Sequence, residues 1–335
     1  MDKKYYISLV CAFLICAVLL IAFYYFSSEK SEEKKHIKTV YSFENVQGPI
    51  QPIPRKLIID KNWLVLGKAL FHSPLLSKDN TISCASCHMI DFGGDDGFPV
   101  STGINNAQGV RNSPTVLNST FNFRQFWDGR ASSLAEQAVG PIHNPVEMGS
   151  SWDEITAKLS DDIYFSETFI KLSVDGVTAE NIIKAITIYE ESLITPSSPI
   201  DNYILGDKEA LTAQQIRGLS LFINYGCSTC HQGRNIGGNI YQKLGRINNI
   251  PQVLTLDKGR FEVTNEQADE YIFKVPTLRN IAETAPYFHN GAIDNLPDAV
   301  RIMAKTQLGR ELTNDEVADI VALLHSFSAK ILEVQ

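Results

Sequence analysis

Two short cysteine and histidine motifs give the strongest chemical signal in this sequence of 335 residues. The first haem motif, as we call it below, is Cys84, Cys87 and His88, and the second is Cys227, Cys230 and His231. Two thiols at this spacing can form thioether bonds to the two vinyl groups of one haem, and the adjacent histidine can then bind its iron. A redox disulfide would not need the histidine, and a zinc site would need further Cys or His ligands at short spacing. The sequence therefore predicts two covalently bound c-type haems.

A methionine far downstream of the second motif is a candidate for the other axial ligand of that iron. Met303 follows His231 and comes just before the last predicted helix. The order of motif, loop, methionine and final helix is that of a single-haem cytochrome c, and ligation by His and Met raises the reduction potential. The alternative is that Met303 only fills the core, but its place in this order favours a ligand. We predict that Met303 binds the second iron.

The elements around these motifs are predicted to be mainly helical. Three helix starts show a Ser or Thr followed three residues later by Glu or Gln, which is typical of a capping box. The pairs are Ser151 with Glu154, Thr212 with Gln215, and Thr313 with Glu316. Apolar residues at helical spacing predict another helix between positions 178 and 193. Sustained alternation of apolar and polar residues, the pattern of strands, is scarce.

The order of helix, haem motif, long loop and helix occurs twice along the chain. A Pro- and Ser-rich stretch at 195–199 separates the two copies and reads as a linker. We therefore predict cytochrome c-like domains at 48–199 and 200–335, with a polar tether at 28–47. Each domain would carry one haem.

The N-terminus predicts a membrane anchor. Residues 7–26 contain no charged side chain and are numerous enough to span a bilayer as a helix. The stretch ends in aromatic residues rather than a small-residue cleavage site, which favours an uncleaved transmembrane signal anchor at 1–27 over a removed signal peptide. Since c-type haem is attached outside the cytoplasm, the domains would lie on the periplasmic side of the cytoplasmic membrane, or free in the periplasm if the anchor were cleaved. The predicted fold is thus mainly α, with two cytochrome c-like domains after an N-terminal membrane helix.

The charge of the chain excludes one class of partner. The formal net charge is -8, whereas nucleic-acid binding requires a basic surface. A redox protein with a complementary charged patch remains compatible with this composition.

Five further segments carry information about function that the haem motifs alone do not give. They closely resemble segments of the bacterial di-haem cytochrome c peroxidases and of the related methylamine-utilisation di-haem enzyme. The segments are GVRNSPT at 109–115, QFWDGR at 125–130, QAVGPIHNPVEM at 137–148, PYFHNG at 286–291 and MAKTQLG at 303–309. The resemblance covers the chain from about residue 50 to 327.

The resemblance implies a role for each matching residue. The haem on His88 would be the peroxidatic one, with Gln137 and Glu147 in its distal pocket and Glu147 as the acid–base catalyst. Trp127 would lie between the haems and help to carry electrons, which would enter at the haem on His231. Hydrogen peroxide would be the substrate, and a cytochrome c or another small redox protein the donor.

The same resemblance implies a calcium ion between the domains. Its protein ligands would be the side chain of Asn112 and the carbonyl oxygens of Thr284 and Pro286. The family often forms homodimers, and the sequence leaves the oligomeric state open.

One position departs from the family. Many of these peroxidases carry a loop histidine that blocks the peroxidatic iron until the other haem is reduced, and here the corresponding residue is Ile104. We therefore predict that the haem on His88 is open in the oxidised protein, unless His72, His143 or Met148 replaces the missing ligand.

Two other functions compete with peroxide reduction. The methylamine-utilisation relative, which oxidatively modifies a partner protein, also lacks the blocking histidine, so this chain could oxidise a partner protein or another substrate. That relative has tyrosine where this chain has Met303, which favours the peroxidase. A purely electron-carrying role is disfavoured by Trp127, Gln137 and Glu147.

Overall fold

In the computed structural model, the structure describes residues 38–334. The predicted anchor at 1–27 and most of the tether lie outside the described residues. Within the described part of the chain, no helix has the length and apolar character needed to cross a membrane. The residues from Thr39 onward form one compact unit.

Helices account for most of the regular structure between residues 38 and 334. The α-helices are α1 (Lys61–Phe71), α2 (Cys84–Cys87), α3 (Leu134–His143), α4 (Trp152–Asp161), α5 (Ile163–Leu172), α6 (Ala179–Ser192), α7 (Pro199–Ile204), α8 (Ala213–Asn224), α9 (Phe261–Thr264), α10 (Leu296–Leu308) and α11 (Asn314–His325). Short 3-10 helices lie at Pro74–Leu76, Ile90–Phe92, Ile104–Asn106, Ser119–Phe121, Cys227–Thr229, Gln252–Leu254, Gln267–Asp269 and Ile281–Glu283. The mainly α prediction is confirmed.

The strands are short and form two antiparallel pairs. β1 (Val40–Tyr41) pairs with β2 (Leu57–Ile58), with Val40 opposite Ile58. β3 (Tyr241–Lys243) pairs with β4 (Ile272–Lys274), with Tyr241 opposite Lys274. The β3–β4 pair lines the same cavity as the second haem motif.

The three predicted capping boxes are confirmed at the starts of α4, α8 and α11. In each, the side chain of the Ser or Thr accepts a hydrogen bond from the backbone N–H three residues later, and the Glu or Gln side chain accepts one in return. These bonds satisfy N–H groups that have no partner inside the helix. The caps fix where α8 and α11 begin, and α8 ends just before the second haem motif.

Hydrophobic residues collect in two main cores. The first core is built from α1, α3, α4, α5 and α6, and the second from α7, α8, α10 and α11. The predicted boundary at 199/200 lies at the first residue of α7, the first helix of the second core. Two segments cross it, because Ile50 packs in the second core while Ile331 and Val334 pack against the first.

The two halves share one helix-crossing geometry. A methyl group at Gly67 on α1 would lie 1.9 Å from the backbone oxygen of Ala185 on α6. At Gly218 on α8 it would lie 2.0 Å from the backbone oxygen of Asp319 on α11. Both distances are far inside van der Waals contact, so only glycine permits these crossings. Each close crossing brings a helix preceding a haem motif against the last long helix of its half.

Candidate haem sites

The first haem motif is held in a short helix that ends at its histidine. α2 spans Cys84–Cys87, and the backbone N–H of His88 donates to the oxygen of Cys84 at 3.0 Å. The imidazole Nδ1 of His88 lies 3.3 Å from the backbone oxygen of Gly94. If Nδ1 donates this bond, Nε2 keeps its lone pair for a metal. Burial lowers the pKa of His88, which favours the neutral ring that can bind iron.

The thiols of this motif are free and lie in an apolar environment. Cys84 and Cys87 form no disulfide. Burial raises the pKa of the Cys84 thiol to about 12 and that of Cys87 to about 11. Two unpaired thiols and a neutral histidine, in surroundings of low polarity, are the groups that covalent haem attachment requires.

The second haem motif opens onto a cavity of about 250 Å³. Cys227, Cys230 and His231 line it, and Met303 on α10 lines the same cavity. Burial lowers the pKa of His231 to about 4, so its ring is neutral. Most of the other lining residues are apolar. The donor set of imidazole, thioether and two free thiols therefore fits a haem c with His and Met ligands.

Glu147 lies in the turn that follows α3, close to the first motif. Its backbone N–H donates to the oxygen of Asn144 at 3.0 Å, and the Asn144 amide donates to the carboxylate at 2.8 Å. Burial raises the pKa of Glu147, while Asn144 and the charge of Arg130 partly oppose that rise. The carboxylate also raises the pKa of Cys87, which places its charge near the first motif.

The loop that carries Ile104 is fixed against the same turn. The backbone N–H of Ile104 donates to the oxygen of Glu147 at 2.8 Å. A methyl group at Gly103 would lie 2.4 Å from that oxygen, so the two backbones are in close contact. Ile104 itself is buried, and its side chain approaches the Cα of Gly149. The position that holds the blocking histidine in many relatives is therefore filled by a packed isoleucine.

The three residues that could replace that histidine lie in other environments. His72 is exposed and its Nδ1 is 2.9 Å from the oxygen of Lys68. His143 is exposed, and its Nδ1 is 2.9 Å from the oxygen of Ser150. Met148 is buried in the first core. Each is already held by local contacts.

Gln137 and Trp127 occupy different surroundings. Gln137 is half-buried on α3, and its side chain makes no hydrogen bond with the residues that the structure describes. Trp127 lines the cavity of the second motif, and its Nε1 donates to the oxygen of Asn112 at 3.0 Å. Its ring meets that of His289 edge-on, with centroids 6.4 Å apart. The structure thus brings Trp127 to the second site and Glu147 to the first.

The predicted calcium ligands share one region. Asn112, Thr284 and Pro286 all line the cavity of the second motif. Asn112 is buried and its amide nitrogen donates to the oxygen of Phe98 at 2.9 Å, which leaves its side-chain oxygen available. Among residues 38–334 no cluster of three or more His, Cys, Asp or Glu side chains is arranged to bind a metal. A site here would depend on amide and carbonyl oxygens, which suit calcium.

Two features were not anticipated from the sequence. Arg111 forms ion pairs with Asp128 and with Asp257, the latter at 2.6 Å, and so joins segments from both halves of the chain. Lys274 is a buried lysine in β4. The ion pairs of Arg111 join residues distant in sequence, so no local sequence pattern predicts them. A lysine within the apolar run at 271–276 is unusual and could have been noticed in the sequence.

Comparison with known proteins finds relatives among the bacterial peroxidases. A family model described as di-haem cytochrome c peroxidase matches residues 61–209. The chain is 49% identical over 288 residues to cytochrome c peroxidase Ccp of Escherichia coli, a match that covers 85% of this chain and 62% of that protein. It is 46% identical over 292 residues to cytochrome c551 peroxidase of Pseudomonas aeruginosa, covering 84% of each.

Among solved structures, the fold is similar to that of a MauG-like protein associated with microbial copper homeostasis. The TM-score is 0.76 at 24% identity, and the match covers 87% of this chain and 95% of that chain. At this identity the likeness concerns the fold alone.

Proposed function

This chain belongs to the di-haem cytochrome c peroxidase family, and we propose that it reduces hydrogen peroxide to water with electrons from a cytochrome c or a similar small redox protein. The relatives that support this activity are both named as peroxidases. The observation that carries the proposal is the half-buried carboxylate of Glu147 beside the first haem motif. Such a group is what peroxide cleavage needs in addition to haem.

Glu147 is the proposed acid–base catalyst. When bound, the two haems supply the redox chemistry that delivers two electrons to the peroxide. Peroxide, two electrons and two protons give two water molecules, so protons must move as the oxygen–oxygen bond breaks. Glu147 would take a proton from one peroxide oxygen and return it to the other. A pKa raised by burial suits both steps, because it makes the carboxylate a better proton acceptor than an exposed glutamate while the carboxyl group can still return the proton.

The surroundings of Glu147 would hold its carboxylate in place. Asn144 donates to one carboxylate oxygen at 2.8 Å, and the backbone contact with Gly103 and Ile104 fixes the turn. Positioning of this kind lowers the reorganisation needed during proton transfer. Gln137 would bind peroxide in the same pocket, and its unpaired amide can donate a hydrogen bond.

Electrons would enter at the haem held by His231 and Met303. Ligation by His and Met favours a high reduction potential, which suits an acceptor of electrons from a small cytochrome. Trp127 borders this cavity and is bonded to Asn112, so it is the proposed relay toward the first haem.

We further propose a calcium ion held by the side-chain oxygen of Asn112 and the carbonyl oxygens of Thr284 and Pro286. None of these oxygens accepts a hydrogen bond from the described residues, so all three can bind a cation. Metal analysis of protein purified without chelator, and again after chelation, tests this proposal. Retention of no calcium before chelation would contradict it.

The reaction is proposed to take place on the periplasmic side of the cytoplasmic membrane, since c-type haem is attached there. The predicted anchor at 1–27 would hold the enzyme at that membrane. The domains at 48–199 and 200–335 each contain one haem motif, and a homodimer remains a further prediction of the family resemblance.

A combined haem and kinetic measurement tests the function. Mass spectrometry of the full chain should show two covalently attached haems, and peroxide should be consumed in steady state with a reduced cytochrome c. The rival function, oxidation of a partner protein, is favoured by Ile104. Two attached haems with negligible peroxide turnover, together with oxidative modification of an added protein, would favour that rival and contradict the peroxidase.

A further inference from the structure

Lys274 is a buried cation without a partner among the residues that the structure describes. Its exposed fraction is 6%, and its backbone N–H donates to the oxygen of Trp127 at 2.8 Å. Its ammonium group takes part in no ion pair or hydrogen bond with any described residue. Burial alone lowers the pKa of Lys274 to about 8. Because an isolated ammonium is costly to remove from water, such a group usually has an anion beside it.

The surrounding protein supplies no such anion. Lys274 lines the cavity that also contains His231 and Met303, and no described aspartate or glutamate lines that cavity. The carboxylates of the Arg111 network are already paired, because Asp128 contacts both Arg111 and Arg130, and Asp257 contacts Arg111. The anion that pairs with the Lys274 ammonium group must therefore belong to the molecule that binds in the cavity.

A haem carries two propionate carboxylates, and the cavity has the ligands for a haem. We propose that Lys274 pairs with a propionate of the haem held by His231 and raises the reduction potential of that haem. This inference rests on the proposed function, because it requires a haem at His231. A nearby positive charge stabilises the reduced haem, which carries one more negative charge than the oxidised haem. Lys274 would thus be a positioning residue that helps to make the second haem the site of electron entry.

Replacement of the lysine by an uncharged side chain of similar length tests the inference. In Lys274→Met, the reduction equilibrium of the His231 haem should shift toward the oxidised form by about tenfold, which is ~59 mV for a one-electron couple. The measurement is a spectroelectrochemical titration of both haems in the full protein. Lys258→Met is the matched control, since it removes one positive charge from a lysine that is partly exposed and paired with Glu270.

The outcomes separate this inference from the proposed function. Haem counting by mass comes first, and absence of haem from Cys227 and Cys230 in the unmodified protein would overturn the proposed function itself. With both haems attached, an unchanged potential in Lys274→Met would overturn the inference, as would a shift confined to the His88 haem or an equal shift in Lys258→Met. Should Lys274→Met yield no di-haem protein, Lys274→Gln takes its place with the same expected direction of shift.

Discussion

At the scale of single residues, the environment of one carboxylate determines the proposed chemistry. Glu147 could have been a solvated loop residue, but it is partly buried, bonded to Asn144 and electrostatically coupled to Cys87. Its position depends on the turn after α3 and on the loop at 101–108 that packs against that turn. The functional residue is therefore fixed by backbone contacts as much as by its own side chain.

Glu147→Gln should lower kcat/KM for peroxide by at least about a hundredfold, because general acid–base catalysis typically contributes that much or more. Steady-state assays with a reduced cytochrome c measure the effect, after mass analysis shows that both haems are attached. Glu167→Gln on the exposed surface of α5 is the control, and its rate should be unchanged. Full activity in Glu147→Gln would remove this residue from the mechanism.

Asn144→Ala should move the acidic limb of the pH profile of kcat/KM to higher pH. The hydrogen bond from Asn144 lowers the pKa of Glu147, so its loss leaves burial less opposed and the pKa rises further. Glu147 must be ionised to accept a proton, and the variant therefore loses activity at a higher pH as the solution is acidified. The pH profiles of both proteins test this, with Asn224→Ala as a surface control. If the acidic limb stays at the same pH or moves to lower pH, a group other than Glu147 determines its position.

At the scale of the elements, each half depends on one close helix crossing. Gly67 and Gly218 are the residues at which α1 meets α6 and α8 meets α11. In both cases the added methyl group would meet a backbone oxygen, which cannot rotate away as a side chain can.

Gly67→Ala and Gly218→Ala should each lower the free energy of unfolding by roughly 1–3 kcal/mol, the usual cost of overpacking. Ser220→Ala, on the exposed face of α8, should change it little. Chemical denaturation, followed by haem absorption and by helical circular dichroism, measures the free energy of unfolding of each variant. If the alanine variants were as stable as the parent protein, the close crossings would not be rigid contacts.

The elements also show what could be predicted from the sequence and what could not. The haem motifs and the capping boxes at Ser151, Thr212 and Thr313 depend on neighbours within three or four positions, so local spacing was sufficient. The glycine crossings, the pairing of Arg111 with Asp257 and the burial of Lys274 depend on residues distant in sequence. No local sequence pattern predicts such contacts, although a lysine among apolar residues of a strand indicates that the lysine is buried.

At the scale of the whole molecule, we predict that the first site can react without prior reduction of the second. In relatives with the blocking histidine, reduction of one haem frees the other, which couples the sites. Here the corresponding loop carries Ile104, whose backbone is bonded to Glu147 and whose side chain is buried against Gly149. This loop contains no group that could bind iron at that position.

The oxidised protein should therefore show a high-spin ferric signal from the His88 haem in electron paramagnetic resonance. It should also start turnover without a lag, at the same initial rate as a sample whose His231 haem was reduced beforehand. His72 and His143 are held by the backbone oxygens of Lys68 and Ser150 on the exposed surface, so either would have to leave those contacts to bind that iron. Two low-spin signals, or a lag that prior reduction removes, would mean that another residue blocks this iron and that the two sites remain coupled.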